Sequence, residues 1–162
     1  YYVSLPREQK RAREVKFAAE AAPEVVRSAS LKNAQGLDRA EEQLVSGDIQ
    51  GAKQTAQESL EKPGTDPSRA YFILARAATL SGDMTNARSN FEKALQSRDP
   101  RVLAWSHIYL GRIYDLQENR EAAIMHYNAA LNAGDASQDT KIAAQKGLQK
   151  PYEPQVKREH PQ

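Results

Sequence analysis

Cysteine is absent from the 162 residues. That excludes a disulfide framework, a thiolate nucleophile and a cysteine metal site, and leaves the compartment open. Histidine is scarce: His107, His126 and His160. No two of them have the i, i+4 spacing of a helical metal site. His107 reads as a packed or half-exposed side chain, His126 as solvent-facing and His160 as part of the tail. No glycine-rich loop could cradle a phosphate; Gly134 and Gly147 stand alone and read as helix ends or close packing. No apolar run approaches the length of a membrane span. Neither sign of charge dominates, with 23 Lys and Arg against 21 Asp and Glu and a net charge of +2. That argues against a general nucleic-acid binder, which shows a strongly basic face. The carboxylates are interleaved with basic residues, as at Glu118, Arg120 and Glu121, and no pair is set for acid–base work. The expectation is therefore a protein that is not an enzyme, with no cofactor and no metal. The chain opens on Tyr1 rather than Met, which reads as a piece of something longer.

What is present is a repeat. The stretch from Asp99 to Asp135 repeats the one that starts at Asp66, with a fixed offset of 36 between matched residues: Leu74 falls on Leu110, Ala75 on Gly111, Ala87 on Ala123, Phe91 on Tyr127, Ala94 on Ala130 and Leu95 on Leu131. A fixed period of that size marks a stacked array of helix–turn–helix units. A fainter unit lies 35 residues earlier, carrying Ala40, Gly47, Asp48, Ala52, Ala56, Ser59 and Leu60.

The spacing resembles the tetratricopeptide repeat. That pattern sets a large residue, Leu, a small residue and Tyr on one helix, then Ala, an aromatic and Ala on the next. His107, Leu110, Gly111, Tyr114, Ala123, Tyr127 and Ala130 fit it in one unit; Tyr71, Leu74, Ala75, Ala78, Ala87, Phe91 and Ala94 fit it in another. The first unit departs, with Arg39 in place of Leu and Ala56 in place of the aromatic. The resemblance implies an all-α, right-handed superhelical solenoid of about three such units, at 33–66, 67–99 and 100–134.

Local signals punctuate the array. Gly47-Asp48 and Gly82-Asp83 combine a residue that ends one helix in the left-handed conformation with one that caps the next. Glu118-Asn119 takes the same place in the last unit. Asp66-Pro67 and Asp99-Pro100 pair a capping residue with proline at a helix start. Gly134-Asp135 marks the next boundary, before a single capping helix over 135–150 and a flexible, proline-rich tail over 151–162. Residues 1–32 form an arm or cap: a helix from Pro6 with Lys10, Arg11, Arg13 and Lys16 on its exposed side, broken by Pro23. The next helix runs from Glu24 to about Ser46.

In the geometry that the resemblance implies, the first helix of each unit lines a concave groove. Arg69, Phe72 and Arg76 would line it in one unit; Trp105, Ile108, Arg112 and Asp115 would line it in the next. The expected function is a scaffold whose groove holds a protein or peptide partner of acidic and apolar character. Against it stands the reading of Arg76–Glu41 and Arg112–Asp115 as ordinary surface ion pairs, worth little each. Two alternatives of other classes are an accessory part of a larger enzyme, such as a hydrolase, and a homo-oligomer formed through the N-terminal arm. The Lys and Asn pattern that clamps a C-terminal carboxylate in this family is absent from these helices.

Overall fold

The computed structural model describes residues 24–64 and 66–154. The expected helix from Pro6 and its basic side lie outside the described residues. Seven helices and no strand occur among the described residues: α1 (Glu24–Ser46), α2 (Ile49–Leu60), α3 (Ser68–Leu80), α4 (Met84–Ala94), α5 (Pro100–Leu116), α6 (Arg120–Leu131) and α7 (Gln138–Gln149). The protein is an all-α helical repeat. It falls into two compact units divided between Ser97 and Arg98.

Three hairpins, α1–α2, α3–α4 and α5–α6, share one turn. In each, the backbone N–H of the capping residue donates to the carbonyl five residues back: Asp48 to Gln43 at 2.8 Å, Asp83 to Ala78 at 2.9 Å and Asn119 to Tyr114 at 2.9 Å. This is the six-to-one bond of a Schellman turn, and it requires a left-handed residue just before the donor. Gly47 (φ 88°) and Gly82 (φ 75°) supply it without cost. In the last hairpin Glu118 must adopt φ 59°. The next helix then starts on a side-chain cap. Asp48 accepts from the Gly51 N–H at 2.9 Å, Asp83 from the Asn86 N–H at 3.1 Å and Asn119 from the Ala122 N–H at 3.2 Å. Asp66 and Asp99 each accept the N–H two residues on, at 2.9 and 3.0 Å. Asp135 behaves likewise, accepting from the Ser137 N–H at 3.2 Å, while Ser137 itself precedes α7.

In the first unit α3 packs against α1, α2 and α4, and α1 packs on α2. The apolar core joins Leu37, Ala40 and Leu44 to Ala52 and Ala56 and to Ala70, Ile73, Leu74 and Ala77. Arg39, where the repeat pattern would set Leu, is exposed, and its neighbour Leu37 is buried instead. Ala56, where the pattern would set an aromatic, is fully buried in that core.

In the second unit α5, α6 and α7 pack on one another. The Tyr127 ring of α6 fills the space between α5 and α7. A β-carbon added to Gly111 would come within 2.7 Å of that ring, and one added to Gly147 within 2.5 Å. Both glycines therefore exist to admit the tyrosine. Tyr152, in the segment expected to be flexible, is docked: its backbone N–H donates to Asp115 at 2.9 Å.

Two substitutions test this packing by urea unfolding. Glu118→Gly relieves the left-handed strain and should raise stability by about 0.5–1 kcal/mol. Gly147→Ala should lower it by roughly 1–3 kcal/mol or more, because the ring behind it has nowhere to move. A neutral Gly147→Ala would mean that α7 is not seated on Tyr127.

Candidate functional site

The residues expected to face a partner divide between the two units, and each set sits on the first helix of its hairpin. In the first unit α3 is apolar around nearly its whole circumference, so its polar residues are buried with it. Arg69 donates through Nε to Glu41 at 3.2 Å and through Nη2 to Asp38, both on α1. Burial works to lower its pKa, but the two carboxylates outweigh that and hold it above the ordinary arginine value. Arg69 thus fastens α3 to α1. Phe72 packs edge-on against Phe91 of α4, with ring centroids 5.8 Å apart.

Arg76 is different. It is 3% exposed, its guanidinium lies over the Phe72 ring at 5.8 Å, and neither Nη1 nor Nη2 has a hydrogen-bond partner. The ion pair weighed between Arg76 and Glu41 is not formed; Glu41 Oε1 accepts from Arg69 instead.

In the second unit α5 carries the other set. Trp105 is buried and its indole N–H donates to Thr140 Oγ1 of α7 at 3.0 Å. Thr140 donates in turn to Asp135, which also pairs with Arg101. Burial opposes ionisation of Asp135, yet the Thr140 and Ser137 donors and Arg101 hold its carboxyl below the usual range. Ile108 is fully buried. Arg112 is half-buried, with its guanidinium 5.5 Å from the Tyr109 ring, 5.8 Å from Trp105 and 5.2 Å from Tyr152. The Arg112–Asp115 ion pair that the sequence suggests is replaced by another. Asp115 accepts two bonds from Arg120 at 3.0 Å, the Tyr127 hydroxyl at 2.8 Å and the Tyr152 N–H. Burial, and then Asp115 as acceptor, raise the Tyr127 pKa.

Sequence reasoning separated two residues that the fold brings together. His107 of α5 and His126 of α6 lie on opposite arms of one hairpin, at nearly matching distances from its turn. Their Nδ1 atoms are 3.0 Å apart. The His126 ring stacks on Tyr114, with centroids 5.3 Å apart and planes within 10°. Burial, helped by the facing His126, lowers the His107 pKa to about 4. The signal that could have found the pair is antiparallel pairing about Glu118, not helical spacing.

The buried alanines, the aromatic at the second-helix position and the shared turn recur from one hairpin to the next, and a family comparison matches them. The tetratricopeptide repeat family model matches residues 66–135. Residues 66–135 are similar to that family. The matched segment runs over α3 to α6 and covers a little under half of the chain. Neither the curated proteins nor the solved structures gave a match. Tetratricopeptide repeats mediate protein–protein interactions and act as non-catalytic scaffolds. In this one the second-helix motif residues Ala87, Phe91, Ala94, Ala123, Tyr127 and Ala130 are fully buried and hold the helices together.

His107 sets a pH dependence. A histidine with a lowered folded pKa is protonated in the unfolded chain before the folded one, so the unfolded state gains protons first and stability falls with pH. The contribution is complete above the ordinary value of 6.5 and is lost on going down to about 4. After allowance for solvent screening it is on the order of 2 kcal/mol. Urea midpoints measured from pH 7.5 to 4 should decline in the parent and flatten in His107→Gln across this window. Parallel curves would remove His107 as the cause.

Proposed function

We propose that this protein is a non-catalytic interaction module whose α3 face binds an acidic, apolar peptide or partner helix through Arg76 and Phe72. The observation that carries the reading is the Arg76 guanidinium, buried with both terminal nitrogens unpartnered. A buried charged donor without an acceptor is costly, and native proteins rarely keep one without a reason. The complement of a guanidinium is a carboxylate, held by two parallel bonds. A partner's Asp or Glu reaches these donors when the Arg76 side chain swings off the Phe72 ring. Apolar side chains of the same segment then take the place on the ring. In the second unit the equivalent helix presents Arg112 among Trp105, Tyr109 and Tyr152, a surface suited to the same class of segment. The amphipathic helix laid on a helical face is an established mode of peptide recognition.

The readings of an accessory part of a larger enzyme and of self-assembly draw on the arm over 1–32, of which residues 1–23 lie outside the described part.

Peptides rich in Asp, Glu and Leu, selected from a display library on the intact protein, provide the ligand for the test. Arg76→Met should weaken the selected peptides about tenfold or more, most strongly at low salt. The same change should leave the melting temperature of the free protein unchanged or raise it, since a buried unpaired charge is removed. That split between lost binding and kept stability is the mark of a residue held for function. A variant that binds as well as the parent sinks the proposal. One that unfolds makes Arg76 a structural residue.

A further inference from the structure

We infer that His107 and His126 form a binding site for one divalent transition-metal ion, which bridges α5 and α6. The two Nδ1 atoms face each other at 3.0 Å. Two imidazole nitrogens bound side by side to one ion at 2.0–2.1 Å are themselves about 2.9 Å apart in a square arrangement and about 3.3 Å apart in a tetrahedral one. The observed separation falls within that span, so the ion enters without backbone movement. In the metal-free protein one Nδ1 donates and the other accepts at this contact, according to the tautomers. An ion displaces that proton, and a small rotation of either ring about its χ2 turns facing lone pairs into converging ones.

Three further features favour a ligand here over an ordinary packed pair. The rings are tilted by 37°, so they meet at their edges and not face to face. The His126 plane is fixed by Tyr114 behind it, which orients the ring before any ion arrives. Both histidines are half-buried, so an ion and its water reach them from solvent.

Among the described residues no group of three His, Cys, Asp or Glu side chains is placed to hold an ion. Water or an incoming ligand completes the coordination. Imidazole donors select copper, nickel and zinc over magnesium and calcium, which require oxygen. Because the ligands come from the two arms of one hairpin, the ion binds the folded form and ties α5 to α6.

The test uses the intact chain, stripped with a chelator and then titrated with Zn²⁺ or Ni²⁺. One equivalent should bind, and the melting temperature should rise by roughly 5–11 °C at a hundredfold excess over Kd. Mg²⁺ and Ca²⁺ should leave it unchanged. His126→Gln and His107→Gln should each abolish the rise, while His160→Gln, in the tail, should keep it. If His107→Gln fails to fold, His126→Gln carries the test. With Cu²⁺ the electron-spin spectrum should show coupling to two imidazole nitrogens. No rise with any of the three ions overturns the proposal. So does a rise that survives His126→Gln, or one that disappears with His160→Gln.

Discussion

Tyr127 and Asp115 together fix the second unit. The tyrosine ring fills the gap between α5 and α7, with glycine on both sides because nothing larger fits. Its hydroxyl donates to Asp115, whose two oxygens also take Arg120 and the backbone of Tyr152. Arg120 then reaches on, donating to the Gly147 and Leu148 carbonyls at 2.7 and 3.0 Å and so closing the end of α7. One carboxylate thus connects α5, α6, α7 and the chain beyond it. A buried carboxylate is tolerated when its lone pairs are used, and here three donors make four bonds to it.

The two units are held by different means. The first relies on an apolar core with one buried ion pair, Arg69 with Glu41 and Asp38. The second adds polar ties along the whole of α7: Arg101 to Asp139 at its start, Trp105 to Thr140 in its first turn and Arg120 to its last carbonyls. These ties explain why α7 is stable although it buries little apolar surface and leaves Ile142 exposed. They also occupy most of the polar residues that a binding face would use. Arg76 stands out because both of its terminal donors are left unused.

The fold was legible because its signals are local. A 36-residue period, Gly-Asp turns and small residues at fixed places each report on one hairpin, and hairpin geometry does not depend on what lies far along the chain. The Glu118 turn shows where this ends: the repeat demands a left-handed residue there, and the chain meets the demand with an unfavourable side chain. The candidate site was legible only as a face. Periodicity says that Arg69, Arg76 and Trp105 share the inner sides of first helices, but not which neighbour each will meet. Arg69 took the carboxylate that could have paired with Arg76, and Arg120 took the one that could have paired with Arg112. The histidine pair escaped notice because its contact crosses a turn, where helical spacing carries no information.

The account rests on Tyr127 and Asp115 acting as a unit, and a double-mutant cycle measures that directly. Tyr127→Phe keeps the ring and removes its hydroxyl; Asp115→Asn keeps the shape and removes the charge. Each change alone should destabilise the protein in urea unfolding, Asp115→Asn by about 2–4 kcal/mol because Arg120 loses its partner. The two losses together should fall short of their sum by about 1–2 kcal/mol, the signature of a direct bond. Losses that add to within about 0.3–0.5 kcal/mol, or an Asp115→Asn variant as stable as the parent, would contradict the account.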